Sequence, residues 1–589
     1  MAVTAATPAP GRLAADRAGM AASSELMAGL PVVNAVLARL GFDAILTAWL
    51  PGPDPRCAMA TATVIGVLVR NLALGREPLY GLAAWAARFD ETLLGLAHGQ
   101  AAMLNDDRAG RALDELYAAD RATMTTALAL AAISAYGISP AELHNDSTSL
   151  RLYGAYRDRR APPDGGAGPE RRPPRPARGH SKDHRPDLKQ LVWILTTTAD
   201  GAVPFTYKMA DGNTEDSKTH IATWETCRAI AGRAGFLYIA DSKLATRGNM
   251  THIAGHGGRF LSVLPRSRNE DKAGRAWLAS GCPIGWAEIA RRPGRRKLDP
   301  PDIWQAAPAP ARSQEGYRIV WIRSSAKRAL DARARTQNIQ AATTALGELA
   351  ARLPAGRCQL KTRAAVENAA AAAAGHAARW VRFEVTGQTI TRYRQLGPGR
   401  PGPGTRYQQE NRTRFTLACT VDNAKVTHDA ASDGCFPLIT NDNDLSPAGL
   451  LAAYKRQPRL ERRHATFKGV LRATPAELKN DTRIDALGFC LYTALLVHAL
   501  IERQLRQAMA QAGIRELPLY HEDRPCTTPS AARILQILSP LARTVILRHD
   551  QVLTVIEPAL SPLQGKLLAL LGIPASAYRA EPPPSRNPA

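Results

Sequence analysis

The stretch YIADSKLATRGNM, residues 238–250, ends an apolar run in a carboxylate. The run from Phe236 to Ala240 is typical of a short buried strand, and Asp241 follows it directly. An Asp at a strand end is most often a turn or capping residue. The other interpretation is that the edge of a sheet holds a metal ion, which requires further carboxylates from distant parts of the chain.

The chain carries a strong positive charge that is unevenly distributed. It has 589 residues, with 76 Lys and Arg against 52 Asp and Glu, for a formal charge of +24. Residues 1–140 contain 10 Arg, no Lys and 12 acids, a net charge of −2, so the rest of the chain carries +26. Such an excess favours a polyanionic partner, nucleic acid first and an anionic membrane second. We therefore expect most nucleic-acid contacts after residue 140.

Cysteine usage and hydropathy favour a cytosolic protein. The eight cysteines are scattered and none has C-x-x-C spacing, which argues against a disulfide framework and a zinc ribbon. The first 20 residues lack an apolar signal core. The longest apolar stretch, residues 486–501, is short for a membrane span and predicts a buried helix. We expect no membrane association.

The apolar pattern changes period along the chain and predicts four regions. Residues 1–138 show helical periodicity and predict a helical N-terminal domain. Residues 139–268 alternate as strands around one helix, with a hairpin signalled by Asp200-Gly201, and form one core together with residues 432–505. Residues 269–431 predict an α/β insertion domain. Residues 506–589 predict a helical C-terminal region with a disordered tail.

Three acids occupy comparable positions in this pattern. Asp146 lies inside the strand ELHNDSTSLRLYG, Asp241 ends a later strand, and Glu461 follows the last strand. An unpaired carboxylate in mid-strand is costly to bury, and clustered carboxylates repel one another unless a cation neutralises them. Two Mg²⁺ ions would suit oxygen ligands and phosphodiester chemistry. Taken singly, each acid favours a structural interpretation: Asp146 as a hydrogen-bonded structural residue, Asp241 as a turn residue and Glu461 as a solvated acid paired with Arg462 or Arg463.

The segment YKRQPRLERRHATFKG, residues 454–469, places four polar side chains at helical spacing. Tyr454, Gln457, Glu461 and Lys468 fall within roughly 60° of one another on an ideal helix, which predicts a phosphate-facing stripe. Pro458 makes this geometry conditional for Tyr454 and Gln457, because proline kinks or breaks a helix interior.

These motifs together resemble the DDE transposases of bacterial insertion sequences. The resemblance is to the insertion-sequence-four superfamily and, within it, to the sixteen-thirty-four branch, over residues 140–505. The superfamily signature is Tyr, two residues, Arg, three residues, Glu, six residues, Lys, and here it reads Tyr454, Gln457, Glu461, Lys468 with Gln in place of Arg. HNDSTSL matches the first acid, YIADSKL the second, and GHSKDHRPDLKQLVWIL (residues 179–195) a stretch typical of the branch.

The resemblance implies a fold, a reaction and a set of partners. The fold class is α/β, with a ribonuclease-H-like mixed-sheet core interrupted by an insertion. Asp146, Asp241 and Glu461 would hold two Mg²⁺ ions, for which Mn²⁺ substitutes. Tyr454, Lys468 and, as a neutral donor, Gln457 would contact DNA. The implied reaction is hydrolysis at transposon ends followed by attack of a 3′-hydroxyl on target DNA. The protein would act as a homodimer or larger oligomer on double-stranded DNA, in the bacterial cytoplasm at the nucleoid.

Several other residues have structural interpretations. His180 and His184 have i, i+4 spacing, but Pro186 follows, so a structural or DNA-contacting role is favoured over zinc. Trp193 and Trp224 are expected in the core rather than stacked on a flipped base, and Asp216 at a helix cap rather than beside the metal ligands. Two other functions stay open, a non-catalytic DNA-binding protein derived from a transposase and a metal-dependent endonuclease without strand transfer.

Overall fold

The chain folds into two compact units of mixed α/β structure. A computed structural model describes residues 20–52, 59–75, 77–154, 156, 172–294, 299–355, 358–474, 478–548 and 551–579. Unit 1 comprises Met1–Ser262 and Ala452–Ala589, and unit 2 comprises Val263–Leu451. The proline- and glycine-rich residues 161–171, residues 295–297 of the basic stretch RRPGRRK (residues 291–297) and the expected C-terminal tail after residue 579 lie outside the described residues. The finer division into four domains stays a prediction.

The first part of unit 1 begins with one strand and a set of helices and continues into a sheet. Its elements are β1 (Met20–Leu26), α1 (Leu30–Arg39), α2 (Phe42–Trp49), α3 (Thr61–Gly75), α4 (Leu82–Ala86), α5 (Asp106–Ala118), α6 (Arg121–Tyr136), β2 (Glu142–Leu152), β3 (Lys189–Thr198), β4 (Pro204–Ala210), α7 (His220–Ala231), β5 (Leu237–Ile239), α8 (Arg247–Gly255) and β6 (Arg259–Val263). Alternating and apolar runs predict β2 to β6 and α7 in this order, and the structure confirms them.

Five strands pair in the order β4-β3-β2-β5-β6. The first three are antiparallel, with β2 paired to β3 and β3 to β4. β5 runs parallel to β2, and β6 runs parallel to β5. Parallel neighbours require crossover connections, which α7 and α8 provide. The strand that carries Asp146 is therefore the middle one of the five.

The second part of unit 1 contains helices and, contrary to expectation, strands. Its elements are α14 (Gln457–Ala465), a π-turn (Thr466–Val470), α15 (Asp481–Gln511), β13 (Leu517–Pro518), β14 (Pro525–Cys526), α16 (Ala531–Leu538), β15 (Ala542–Arg548), β16 (Gln551–Ile556) and α17 (Pro562–Leu570). β15 pairs antiparallel with both β16 and β1. The expectation of an all-helical C-terminal region was wrong, because β-branched residues such as Val545, Ile546 and Val555 favour strands here.

Helix α15 forms the centre of the unit 1 core. By length and composition it is long and apolar enough to span a membrane, but 94% of its most apolar window is buried inside the protein. Its apolar side chains share one cluster with α1 to α6, β3 and α14. The predicted buried helix at residues 486–501 is confirmed, and the burial explains its hydropathy without a bilayer.

Unit 2 contains a helical pair, a set of paired strands and a long hairpin. Its stretch of the chain forms α9 (Asn269–Ala279), β7 (Ala287–Arg292), β8 (Asp302–Pro308), β9 (Arg318–Ser324), α10 (Ser325–Arg352), α11 (Arg363–Ala374), β10 (Val381–Gln395), β11 (Tyr407–Val421), α12 (Asn423–Ala430), β12 (Cys435–Thr440) and α13 (Pro447–Tyr454). β12, β9, β8 and β7 pair in that order. β10 and β11 pair only with each other.

Candidate active site

Asp146 and Asp241 lie at matching positions on two adjacent parallel strands. The register of β2 with β5 pairs Glu142 with Leu237 and His144 with Ile239. Continued by two residues, the same register places Asp146 opposite Asp241. β5 ends at Ile239, so Asp241 follows the strand, where Lys243 donates its backbone N–H to Oδ1 at 3.0 Å. Asp241 is thus a turn residue and, at the same time, a neighbour of the mid-strand acid.

Lys182 places an ammonium group between the acids. Its Nζ lies 3.4 Å from Asp146 Oδ1 and 3.4 Å from Asp216 Oδ2. It also donates to Ser147 O at 2.6 Å and to Ser147 Oγ at 2.8 Å. Burial lowers the pKa of Lys182, but the carboxylates of Asp146, Asp216 and Asp241 outweigh burial and raise it above its ordinary value. The ammonium therefore stays charged and neutralises part of the acid cluster.

Asp216 belongs to this cluster and does not only terminate a helix. Ser147 Oγ donates to Asp216 Oδ1 at 2.6 Å, which ties the short turn after β4 to the middle strand. A turn-rich acidic stretch predicts a helix cap at Asp216, but α7 begins after Thr219 and has no capping side chain. The side chain of Asp216 faces β2, and four side chains from four separate segments, Asp146, Lys182, Asp216 and Asp241, share one electrostatic environment.

The pKa values of the two strand acids are raised. For Asp146 burial is the main cause, and the nearby Asp216 charge adds to it, while Lys182 opposes both. For Asp241 burial is again the main cause, with the charges of Asp146 and Asp216 adding to it. The cluster therefore carries more negative charge than the single ammonium compensates, which is the condition under which a cation binds.

His464 lines the same cluster as a neutral side chain. Its Nε2 lies 3.7 Å from Asp146 Oδ2, a distance at which a protonated ring would form an ion pair. Burial, followed by the charges of Lys182 and Lys468, lowers the pKa of His464 to about 3, so the ring is neutral at physiological pH. Neither ring nitrogen has a hydrogen-bond partner within the described part of the chain. A buried neutral imidazole beside an acid therefore offers unused donor and acceptor capacity.

Tyr454 and Glu461 lie near Asp241. Burial raises the pKa of Tyr454, and the charges of Asp241 and Glu461 raise it further, which places the three side chains in one neighbourhood. Glu461 is exposed and makes no hydrogen bond or ion pair with any residue that the structure describes. The alternative in which Arg463 pairs with Glu461 does not hold, because Arg463 Nη1 lies 2.8 Å from Glu502.

Gln457 is buried and holds α14 against β2. Its Nε2 donates to Asn145 O at 2.9 Å, and its Oε1 lies 3.0 Å from His144 Nδ1. The helical stripe is interrupted here, since α13 ends at Tyr454 and α14 begins at Gln457 with Pro458 in its first turn. A proline is tolerated there because first-turn N–H groups have no intrahelical acceptor. Contact of Gln457 with DNA stays a prediction, and in this structure its amide is engaged by the middle strand.

Lys468 forms an ion pair within the protein. Its Nζ lies 2.6 Å from Asp183 Oδ1, in the loop before β3. Lys468 lies in the π-turn that follows α14, so an α-helical projection from Glu461 does not describe its direction. The loop that carries Lys182 and Asp183 therefore contacts both the acid cluster and the predicted DNA-contacting lysine.

The other candidates are placed as follows. Trp193 and Trp224 are fully buried, as predicted for core residues. His180 and His184 lie outside any helix. Glu225, His252 and His256 form a group that could hold a metal ion, since one ligand atom from each lies within 4.8 Å of the other two. It is the group of this kind within the described ranges. There Glu225 already pairs with Arg228 at 2.8 Å, which lowers the attraction of this carboxylate for a cation.

The acid cluster offers side chains of the chemical kind that a divalent metal ion takes as ligands. Asp146, Asp216 and Asp241 offer hard oxygen ligands, the kind that Mg²⁺ prefers. The ammonium of Lys182 already occupies the position of a cation among them. Glu461 is exposed and lies near Tyr454 and Asp241. It has no competing protein partner among the described residues.

Comparisons with known proteins give a family model over part of the chain and a weak structural likeness. Residues 22–130 match a family model described as a domain of unknown function (DUF4277). No curated protein matches the chain. Among solved structures, the chain is similar to a piggyBac transposase in a synaptic complex with hairpin DNA, at 8% identity and a TM-score of 0.33, covering 87% of this chain and 78% of that one. A likeness this weak does not establish a function.

Proposed function

We propose that this chain is a DDE-type DNA transposase that hydrolyses phosphodiester bonds at transposon ends and joins the freed 3′-hydroxyl to target DNA. The observation that carries the proposal is that Asp146, on β2, and Asp241, just past the end of the parallel neighbour β5, share the electrostatic environment of one cation, the ammonium of Lys182. Such clustering of carboxylates is costly unless cations neutralise them.

The strand order supports a ribonuclease-H-like core. Three antiparallel strands are followed by two that are parallel to the first, in the order β4-β3-β2-β5-β6. The resemblance to the insertion-sequence-four superfamily implies that the first acid lies on the middle strand, the second at the end of a neighbour, and the Glu on a helix after a long insertion. Asp146, Asp241 and Glu461 have these positions, and unit 2 separates the last two along the chain.

Each residue of the site has a distinct part in the proposed reaction. Asp146, Asp241 and Glu461 would hold two Mg²⁺ ions, or Mn²⁺ in their place, with Asp216 beside them. When bound, these ions supply activation of the attacking oxygen and stabilisation of the leaving one. Lys182 balances the carboxylates before the ions bind.

The remaining signature residues position the helix and bind DNA. Gln457 fixes α14 on β2 through Asn145. Tyr454 would donate its hydroxyl to a DNA phosphate near the scissile bond. Lys468 would exchange its ion pair with Asp183 for an ion pair with a phosphate, so that one anionic oxygen replaces another. Double-stranded DNA, both ends and target, is the proposed partner, on which the protein acts as a homodimer or larger oligomer at the nucleoid of a bacterial cytoplasm.

The test is cleavage and joining of a labelled duplex that carries the element's own ends, with Mg²⁺. Wild type is compared with Asp146→Asn, Asp241→Asn and Glu461→Gln, and with Glu288→Gln as a matched acid far along the chain in unit 2. We expect wild type and the control to cut and join, and the three site variants to bind DNA without cutting.

Other outcomes point to the rival functions. Cutting without joined product would indicate a metal-dependent endonuclease. Wild-type binding without cutting would indicate a DNA-binding protein derived from a transposase. If the site variants cut as fast as wild type, Asp241 is only a turn residue and the proposal fails.

A further inference from the structure

The hairpin of β10 and β11 extends beyond the core of unit 2 as an exposed arm. Its base is anchored by Val385 and Phe415, which share a small apolar cluster with Leu353 and Val366. From Gln388 outward to Arg414, no residue of either strand or of the connecting loop is buried. Eight residues of β10 lie in this part, about 26 Å at the usual rise of a strand. We call residues 388–414 the arm.

The arm has one basic face and one neutral face. Directly paired residues of an antiparallel ribbon share a face, and faces alternate along each strand. The register pairs Arg414 with Gln388, Arg412 with Ile390, Arg392 with Glu410 and Arg394 with Gln408. These pairs form one face, with four arginines. The opposite face holds only uncharged side chains, namely Thr389, Thr391, Tyr393, Gln395, Tyr407, Gln409, Asn411 and Thr413.

The arm concentrates charge far beyond the average of the chain. Residues 388–414 contain six arginines and one glutamate, a net charge of +5 out of +24 for the whole chain. Arg394 and Arg412 are 74% and 66% exposed and lie 3.8 Å and 3.5 Å from Glu410. One carboxylate between two arginines leaves the face strongly positive, and no other acid of the arm reduces it.

An exposed ribbon of this kind needs a partner to be ordered. An isolated two-stranded hairpin is only marginally stable in water, and the arm packs neither face on the protein. A second copy of the chain would bring the same four arginines alongside, and like charges repel. A polyanion with regularly spaced charges supplies the missing interaction, and a two-stranded ribbon fits the major groove of duplex DNA.

We propose that the arm is a duplex-DNA-binding element in which Arg392, Arg394, Arg412 and Arg414 contact backbone phosphates. This inference rests on the proposed function only in taking DNA as the partner. The arm contributes binding that is separate from the acid cluster. Its uncharged face, on which Tyr393 is 67% exposed, supplies hydroxyl and amide groups for hydrogen bonds. This face carries no charge that would attract phosphates.

The experiment measures binding of the full chain to a fluorescent 30-base-pair duplex over a series of NaCl concentrations, with EDTA to prevent cleavage. The arm variant carries Arg392→Gln, Arg394→Gln, Arg412→Gln and Arg414→Gln. The control changes four exposed arginines on α10 and α11 of the same unit to Gln, Arg328, Arg333, Arg352 and Arg363, so both proteins lose the same net charge. A second variant replaces residues 389–413 by Asn-Gly, which closes the hairpin on the pair Gln388 and Arg414.

Phosphate contacts set the salt dependence of binding at about 0.9 per contact, so the arm variant should lose about 3 to 4 from the slope of log affinity against log salt. At 0.1 M NaCl we expect binding at least tenfold weaker for both arm variants and near wild-type binding for the control. An arm variant with the wild-type slope, or a control that loses as much, overturns the proposal. So does an arm variant that loses self-association in sedimentation but keeps the slope, which assigns the arm to a second copy.

The assay separates this inference from the proposed catalysis. A wild-type protein that binds DNA and never cuts leaves the result for the arm intact and refutes only the transposase. A wild-type protein that binds no duplex at any salt concentration refutes both.

Discussion

The Nζ atom of Lys182 lies 3.4 Å from Oδ1 of Asp146. Lys182 comes from the loop before β3, so a tethered ammonium enters the cluster from outside the strands that carry the acids. The carboxylates outweigh burial and keep this amine protonated. A cation position therefore exists among the acids in the protein itself, and a metal ion and Lys182 would compete for it.

Removal of Lys182 should make the protein more dependent on divalent metal ions. We expect Lys182→Gln to lower the free energy of unfolding by about 1–3 kcal/mol in EDTA, because charge-assisted hydrogen bonds to Ser147 are lost and the acids repel one another. Mn²⁺ should then raise the Tm of the variant more than that of wild type, since a ligand that binds only the folded state stabilises it.

The matched control for Lys182 is Lys208→Gln, an exposed lysine on β4. It should leave both the Tm in EDTA and the Mn²⁺-induced rise unchanged. Equal Mn²⁺-induced rises for wild type and Lys182→Gln would show that the metal binds elsewhere.

Asp216 should affect catalysis as a positioning residue. Asp216→Asn removes one of the two carboxylates at 3.4 Å from Lys182 while it keeps an oxygen for Ser147. We expect Mg²⁺-dependent cleavage to fall about 10- to 100-fold, as is usual for outer partners of metal sites, and the apparent affinity for Mg²⁺ to fall with it. Glu215→Gln, one residue away and exposed, is the control. Unchanged metal affinity in Asp216→Asn would return Asp216 to a structural role.

Two residues one turn apart on α14 should separate stability from catalysis. Gln457→Leu leaves Asn145 O and a ring nitrogen of His144 without their partner, which should cost about 1–3 kcal/mol of stability. Glu461→Gln should leave urea unfolding unchanged, because Glu461 is exposed, but abolish cleavage. Parallel urea titrations and cleavage assays test this, and a Glu461→Gln variant that is as destabilised as Gln457→Leu contradicts it.

The succession of the core strands along the chain was predictable, because each strand is marked by its own local sequence pattern. Period-two alternation and short apolar runs mark β2 to β6, and Asp146 and Asp241 stand out as acids in or at such runs. Lys182 was not recognised as a member of the site, since a loop lysine has no periodic signal, and for Asp216 the turn-rich stretch favoured a helix cap over a place beside the metal ligands. Only the folded chain, through Ser147, shows where these segments meet.

Burial and polar strands account for the other differences. Gln457 matches a signature position by spacing, but its burial follows from the packing of α14 on β2, which spacing does not encode. The outer halves of β10 and β11 were not predicted, because neither face is apolar and apolar residues therefore do not alternate with polar ones. β15 and β16 did carry a signal, in the β-branched residues Val545, Ile546 and Val555.

Buried histidines should make the protein lose stability in mild acid. Burial lowers the pKa of His220 to about 4 and also lowers the pKa of His498. Between about pH 6.5 and 4 the unfolded chain therefore takes up a proton at His220 that the folded chain excludes, so the free energy of unfolding falls as the pH falls, by about 1.4 kcal/mol per pH unit. The lowered pKa of His498 acts in the same direction.

Urea unfolding in EDTA at pH 7.0, 6.0 and 5.0 measures this slope for wild type, His220→Gln and His498→Gln. His220→Gln should reduce the pH dependence by about one proton, and His498→Gln should also reduce it, whatever the stability of each variant at pH 7.0. His98→Gln, with a fully exposed side chain, is the control and should keep the wild-type slope. A His220→Gln variant with the wild-type slope would show that His220 becomes protonated in the folded protein. The contact of His220 with the Tyr238 hydroxyl at 3.2 Å would then not keep the imidazole ring neutral.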